Sequence, residues 1–250
     1  MGHESEGERC HLNATMRTLS PAIPMIPEEC QERLKRLNQV FLEENRNLNL
    51  SALRTQELSW TGNILDALSI LSTPLLSPLS AQKKILDLGT GGGFPLLPLA
   101  LCVPGCTFVG LDATAKKISA VERIAHAMEL RNVTLITGRS EEVARDPAHR
   151  ERYDLVLSRA VAPLHTLLEL TAPFAKVGGH VVLWKSVRIE KELKDSLLAR
   201  AELSCQLTNP YEYVLPDNRG KRQLLIFQKR FTTQEKYPRA VGIPKKKPLM

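Results

Sequence analysis

A glycine-rich turn directly after a short apolar run constrains this 250-residue chain more than any other feature. Residues 85–95 read ILDLGTGGGFP, in which Asp87 lies near the end of the apolar run and Gly89, Gly91 and Gly93 follow at alternate positions. Because glycine has no side chain, these positions let the segment turn sharply and let a ligand approach the main chain closely. The pattern predicts a strand, a ligand-binding turn and a helix.

Three classes of glycine-rich loop compete for this segment. A phosphate-binding P-loop requires Gly-Lys-Ser/Thr, which the chain lacks. A dinucleotide fingerprint counted from Gly89 places the large Phe94 where a small residue is needed for helix–strand packing. The remaining pattern, D-x-G-x-G-x-G, fits Asp87, Gly89, Gly91 and Gly93 and is typical of S-adenosylmethionine sites. We therefore expect these residues and Phe94 to bind S-adenosyl-L-methionine, without a metal.

A carboxylate at the end of the next apolar run supports a nucleoside site. Asp112 closes the run Val109–Asp112 and follows Gly89 by 23 residues. At a strand end, a carboxylate can accept hydrogen bonds from both hydroxyls of an adenosine ribose, in NAD and S-adenosylmethionine alike. Asp112 could instead cap the helix that begins near Ala115. With the glycine turn ahead of it, we favour the ribose contact.

Two later strand ends are expected at the same sheet edge. Ser140 and Glu141 follow the third strand and could contact an adenine ring, although Ser140 could also cap the following turn. Arg159 follows the fourth strand. Because ligands of open α/β sheets lie outside the carboxyl ends of the strands, we predict that Arg159 holds a substrate phosphate or the cofactor carboxylate. We assign it to both the cofactor site and the catalytic site.

The residues after the fourth strand disfavour two kinds of methyl acceptor. Transfer to an exocyclic amine of a base typically uses an Asn/Asp-Pro-Pro-Tyr/Phe clamp, but Ser158 and Arg159 stand at that point. Transfer to carbon 5 of a pyrimidine requires a cysteine nucleophile, and no cysteine lies near the fourth or fifth strand. A ring nitrogen with a free lone pair needs neither device.

From Lys84 onward, short apolar runs alternate with helical periodicity, as in a parallel sheet covered on both faces. We predict an α/β, Rossmann-like class I methyltransferase fold with a mostly parallel seven-stranded sheet and a helical N-terminal cap. Two amphipathic helices, Glu28–Asn47 and Glu57–Leu71, form the cap. The predicted strands are residues 84–88, 107–112, 133–137, 154–158, 181–185, 211–215 and 223–228, the last two as a hairpin.

The chain is predicted to divide into four parts. Residues 1–27 show no period and are expected to form a mobile leader. Residues 28–80 are the helical cap, and residues 81–230 are the S-adenosylmethionine-binding domain. Residues 231–250 are a basic tail.

Positive charge is concentrated at the C-terminus. Of the chain's net charge of +7, the segment 219–250 contributes ten Lys or Arg against one acid, Glu235. Prolines are expected to keep the tail extended, so that it follows a phosphate backbone as an RNA contact. A solvated tail without a partner is the alternative. The tail cations are Lys236, Arg239, Lys245, Lys246 and Lys247.

Cysteine usage and hydropathy indicate the compartment. The five cysteines are scattered without a Cys-x-x-Cys pair, which argues against a disulfide or zinc framework. The longest apolar stretch, residues 94–103, is interrupted by Pro95 and Pro98 and is half the length of a membrane span of about 20 residues. We expect a cytoplasmic monomer without membrane contact.

Five segments together resemble the glucose-inhibited division protein B family. They are DLGTGGGFPLLPLAL, GLDATAKK, GRSEE, SRAVAPL and VLWKS, and the similarity extends from about Asn47 to Met250. The resemblance implies a bacterial methyltransferase that modifies N7 of a guanine in the 16S RNA of the small ribosomal subunit. It also implies a cofactor pocket lined by Gly89, Phe94, Ser140–Glu141 and Arg159, with Asp112 as the ribose acid. This chain departs from the family at Gly62-Asn63, where Arg-His is usual.

Three functions follow from these residues. The first is N7 methylation of a guanine in ribosomal RNA, in which the unprotonated nitrogen attacks the sulfonium methyl and needs no general base. The second is methylation of a protein or a small molecule, which the cofactor motifs fit equally well. The third is a ribosome-associated binding protein without catalysis.

Overall fold

One mixed β-sheet organises the molecule. The computed structural model describes residues 26, 28–77, 82–159, 162–217 and 219–250. Within these ranges the strands are β1 (Lys84–Leu88), β2 (Thr107–Asp112), β3 (Val133–Thr137), β4 (Tyr153–Ser158), β5 (Ala175–Ser186), β6 (Cys205–Leu207), β7 (Tyr211–Val214) and β8 (Lys221–Lys229). Their order across the sheet is β3-β2-β1-β4-β5-β8-β6, and β7 also pairs with β8. The first five are parallel, and the last three are antiparallel.

The helices connect these strands and precede them. They are α1 (Gln31–Leu48), α2 (Gln56–Ser59), α3 (Asp66–Leu68), α4 (Leu96–Cys102), α5 (Ala115–Ala127), α6 (Ser140–Val143), α7 (Leu164–Thr171), α8 (Glu190–Asp195), α9 (Leu197–Glu202) and α10 (Ile243–Lys246). The α/β, Rossmann-like class is therefore confirmed. No helix within the described ranges is both long enough and apolar enough to span a bilayer.

The predicted seven strands are all present, but the described residues contain an eighth. The additional strand is β6, which pairs with the end of β8 at Phe227–Lys229. β7 pairs with the other end of β8, at Lys221–Leu224, so the two short strands follow one another along a single edge. A three-residue strand is too short to show an alternation of apolar and polar residues, so its own sequence does not reveal it. It is recognised only by its pairing with β8.

The sheet separates two hydrophobic layers. Adjacent residues of a strand face opposite sides, so Ile85 packs with the first layer and Leu86 with the second. The first layer contains the N-terminal helices together with α4 and α5, and Leu34 and Phe41 are fully buried there. The second contains α7 and α9. The helical cap thus shares a core with the sheet.

The predicted second cap helix is a continuous helical segment of mixed geometry. α2 passes into a π-helical turn at Trp60–Leu65, then into α3, and ends in a 3₁₀ turn at Ser69–Ser72. Single π-helical turns are rare and often lie at functional sites. This one contains Gly62 and Asn63, the two residues at which the chain departs from the family pattern.

The C-terminal tail is packed against the domain, so the prediction of an extended cationic strand was wrong. Tyr237 is buried at 4% exposure, and Arg150 donates hydrogen bonds to the carbonyl oxygens of Tyr237 and Thr233. Pro244 stands in the first turn of α10, where a missing N–H costs nothing. Lys236 pairs with Glu202. The predicted leader, residues 1–27, lies outside the described residues except for Ile26.

Asp87 places a buried carboxylate beneath the glycine turn. It is 1% exposed, and within the described chain its two oxygens make no well-aligned hydrogen bond. Burial raises the pKa of Asp87 to about 7, and the Thr90 hydroxyl and the Arg159 charge offset this only in part. In the folded protein Asp87 therefore binds a proton as the pH falls through about 7, far above the range of an exposed aspartate.

This burial predicts a pH-dependent cost to stability. In the unfolded chain the carboxyl ionises near pH 4. Between about pH 4 and 7 the folded state therefore binds more protons, and the free energy of unfolding falls as pH rises. We expect Asp87→Asn to be more stable relative to the original chain at pH 7.5 than at pH 4.5, as measured by urea unfolding. Exposed Glu43→Gln is the control; the same pH dependence in both variants would contradict the assignment.

Candidate active site

The glycine turn has the backbone geometry of a close-approach loop. Gly89, Gly91 and Gly93 have φ angles of 74°, 55° and 89°, which favour glycine. A Cβ at Gly93 would lie 2.5 Å from the Leu97 Cδ1 atom, so this position also permits close packing of α4 on the turn. The predicted strand, turn and helix therefore form the site's framework.

Asp112 fixes the turn from the neighbouring strand. One oxygen of its carboxylate accepts a hydrogen bond from the Gly91 N–H at 3.0 Å, and the other accepts one from the Thr114 N–H at 2.9 Å. Asp112 therefore connects the turn to the residue before α5, and its contact with a ribose stays a prediction. Each carboxylate oxygen has a further lone pair available for a ligand hydroxyl.

A cavity of about 440 Å³ opens between the turn and the ends of β2 and β3, and we name it the glycine-turn cavity. This volume is in the range of ligand pockets. Four predicted residues line it, namely Gly89, Asp112, Ser140 and Glu141. Its apolar wall comes from residues that the sequence analysis did not assign to the site, which include Leu111, Ala162, Pro163 and Leu170.

The side chains of Ser140 and Glu141 have structural partners. The Ser140 hydroxyl donates to the Leu170 carbonyl oxygen at 2.8 Å, which ties α6 to α7. The Glu141 carboxylate accepts a hydrogen bond from the Gly242 N–H at 2.9 Å and is 8% exposed. These residues border the cavity while their side chains hold other segments in place.

Arg159 is held by the π-helical turn of the cap. Its guanidinium donates to the Gly62 carbonyl oxygen at 2.8 Å, to Asn63 Oδ1 at 2.9 Å and to Asp66 Oδ2 at 3.1 Å. The guanidinium carbon lies 5.6 Å from the centre of the Phe94 ring, a cation–π distance. Although the chain lacks the family's Arg-His pair, Gly62 and Asn63 still orient this cation.

A second cavity of about 260 Å³, which we name the Arg159 cavity, lies at the ends of β4 and β5. Its lining combines cations with carboxylates: Arg159, Lys185 and Arg222 with Asp66 and Glu192. The other lining residues are Trp184, Ser186 and Tyr213. The Arg222 Nε atom is buried and has no hydrogen-bond partner within the described residues. A buried donor of this kind is costly unless a ligand pairs with it.

Asp66 joins the walls of the Arg159 cavity. Besides Arg159, it accepts a hydrogen bond from the Tyr213 hydroxyl at 2.6 Å, and its carbonyl oxygen accepts one from the Trp184 indole N–H at 2.8 Å. Burial, followed by the charge of Asp66, raises the pKa of Tyr213. Tyr213 is therefore a neutral donor and not a base at neutral pH.

Several predicted residues lie outside the glycine-turn cavity. Asp87, Gly91, Gly93 and Phe94 do not line it, because they build and support the turn. Phe94 is 5% exposed and packs edge-on against Phe41 at a centroid distance of 4.7 Å. The sequence reasoning missed Gly242 and Lys245 in the glycine-turn cavity, and Asp66, Tyr213 and Arg222 in the Arg159 cavity.

Comparisons with known proteins find relatives over most of the chain. A family model described as rRNA small subunit methyltransferase G matches residues 30–222. The chain is 37% identical over 224 residues to the ribosomal RNA small subunit methyltransferase G of Carboxydothermus hydrogenoformans, covering 90% of this chain and 94% of the relative. It is 38% identical over 211 residues to that of Deinococcus deserti, covering 84% and 85%.

The solved structures agree at the level of the fold. Aeropyrum pernix fibrillarin, solved with natively bound S-adenosyl-L-methionine, is 15% identical and has a TM-score of 0.51, covering 67% of this chain and 76% of fibrillarin. The family model and both relatives cover most of the chain at a level that establishes kinship. The chain belongs to the rRNA small subunit methyltransferase G family.

Proposed function

We propose that this protein transfers a methyl group from S-adenosyl-L-methionine to N7 of a guanine in small-subunit ribosomal RNA, acting as a cytoplasmic monomer. The observation that carries the proposal is the pair of cavities: a nucleoside-sized one at the glycine turn and, at the ends of β4 and β5, one with a mixed-charge lining. The family supplies the class of RNA. The residues of the Arg159 cavity support a guanine ring nitrogen as the methyl acceptor.

The glycine-turn cavity fits the cofactor. Asp112 offers free lone pairs for the ribose hydroxyls. The apolar Leu111 and Leu170, with Gly138, suit the adenine ring. The unpaired carboxylate of Asp87 beneath the turn suits an ammonium group, whose charge would lower the pKa of Asp87 and stabilise the ionised form. When bound, the cofactor supplies an electrophilic methyl on a sulfonium.

The Arg159 cavity fits a guanine. The base has an acceptor at O6 and donors at N1 and N2, so a site for it needs both hydrogen-bond donors and acceptors. Arg159 and Arg222 supply donors, and Glu192 supplies an acceptor. The task of these residues is to orient N7 toward the methyl, because an unprotonated nitrogen needs no base.

The described cysteines do not support transfer to carbon 5 of a pyrimidine. Cys30, Cys102, Cys106 and Cys205 are all buried, and none lines either cavity. Burial raises the pKa of Cys205 to about 12, so it is a thiol and not a nucleophilic thiolate. The structure thus favours a ring nitrogen over that carbon as the acceptor.

Transfer of label from methyl-labelled cofactor tests the proposal. We expect label in small-subunit RNA, located at guanine N7 by alkaline cleavage of the modified base. Intact small subunits, deproteinised small-subunit RNA and a protein extract are compared in parallel. Label in protein or in small molecules alone would favour the second candidate function, and RNA binding without transfer would favour the third.

Asp112→Ala should weaken cofactor binding strongly. Two charge-assisted hydrogen bonds to ribose contribute about 1.5 to 3 kcal/mol each. Their loss should therefore lower the affinity for S-adenosylhomocysteine at least about a hundredfold. Calorimetric titration measures the affinity, and exposed Glu122→Ala is the control. A change of less than about fivefold would remove Asp112 from the ribose site.

Arg159→Lys should lower the rate of RNA methylation at least about tenfold, and Arg159→Ala further. Lysine keeps the charge, but it cannot donate to Gly62, Asn63 and Asp66 from one planar group while it lines the Arg159 cavity. Single-turnover methylation with saturating RNA and cofactor measures the rate, with exposed Arg131→Lys as the control. Methylation at the original rate by the Lys variant would reduce Arg159 to a general counter-charge.

A further inference from the structure

The C-terminal segment reaches the wall of the glycine-turn cavity. Gly242 and Lys245 line this cavity together with Gly138, Arg139 and Ser140 from the end of β3. The motifs at the strand ends do not predict a contribution from the C-terminal tail, which begins after the last strand of the sheet. Its presence in the cavity lining is therefore a property of this chain's tertiary packing.

A buried ion pair anchors the segment. Glu169 of α7 is 0% exposed, and its Oε1 atom accepts hydrogen bonds from the Arg239 backbone N–H at 3.0 Å and from Arg239 Nε at 2.8 Å. Its Oε2 atom pairs with Arg239 Nη2. Because a buried carboxylate is costly without its partner, this pair fixes Arg239 against α7.

Two further contacts hold the tail at the cavity itself. The Gly242 N–H donates to the Glu141 carboxylate, and Thr166 Oγ1 donates to the Pro244 carbonyl oxygen at 3.3 Å. Glu141 and Thr166 both line the same cavity. The tail is thus attached to two sides of the space that the nucleoside would occupy.

We propose that residues 242–245, of which Gly242 and Lys245 line the cavity, form the outer wall of the cofactor pocket and cover the adenine side of the cofactor, with the aliphatic stem of Lys245 in contact with the ring. The inference rests on the proposed function, because it assigns this cavity to S-adenosyl-L-methionine. Lysine stems commonly lie along apolar surface while the ammonium remains in water. The tail therefore has a part in cofactor affinity that does not depend on RNA.

Titration with S-adenosylhomocysteine in the absence of RNA tests the wall. A chain ending after Arg239 keeps the Glu169 anchor and loses Gly242 and Lys245. It should bind at least about tenfold more weakly than the full chain, since part of the adenine surface becomes exposed to water. The double variant Lys246→Ala/Lys247→Ala removes two exposed cations beside the wall. It should bind within about twofold of the full chain.

Comparing these affinities distinguishes a contact made by the wall from an effect of its positive charge or of a loss of folding. Equal affinity of the full and shortened chains would overturn the inference alone, as would an equal loss in the shortened chain and the double variant. If thermal unfolding shows that the shortened chain does not fold, the full-length variant Lys245→Ala replaces it in the test. We expect this variant to bind S-adenosylhomocysteine about fivefold more weakly, and an unchanged affinity would overturn the inference. Failure of the full chain to bind at all would overturn the proposed cofactor site as well.

Discussion

The Arg159 guanidinium joins the N-terminal helices to the carboxyl edge of the sheet. Three acceptors from the π-helical turn and α3 hold it, and the Phe94 ring lies against it. The Gly62 carbonyl oxygen and the Asn63 side chain of the π-helical turn both accept hydrogen bonds from this guanidinium, which follows the end of β4. The cap thus shapes the Arg159 cavity, which is the proposed place of the methyl acceptor.

Side chains from other segments fill the space beside Gly62, where the chain departs from the family pattern. A Cβ at this position would lie 2.9 Å from Arg219 Nη1 and 2.5 Å from Leu53 Cδ1, so the Arg219 side chain occupies space that a larger residue would need. A guanidinium from the segment between β7 and β8 therefore stands beside Gly62.

The part of the fold that follows local rules could be predicted from the sequence. Strands β1 to β4 and the second half of β5 are short apolar runs, and the glycine turn with Asp112 is a pattern of backbone freedom and charge. The tail was read wrongly because its structure depends on partners remote in sequence. Arg239 pairs with Glu169, 70 residues earlier, and no local pattern shows that this carboxylate is buried. The same holds for Asp66, whose role depends on Arg159, Trp184 and Tyr213.

Packing of the tail changes the meaning of its charge. Lys236 and Arg239 are already paired with Glu202 and Glu169, so they add less to the attraction for phosphate than a count of cations suggests. Lys245, Lys246 and Lys247 remain exposed, and Lys245 lines the glycine-turn cavity. A contact between RNA and these lysines would also restrain the wall beside the cofactor. Since linkage is reciprocal, any gain in cofactor affinity from bound RNA must appear as an equal gain in RNA affinity from bound cofactor.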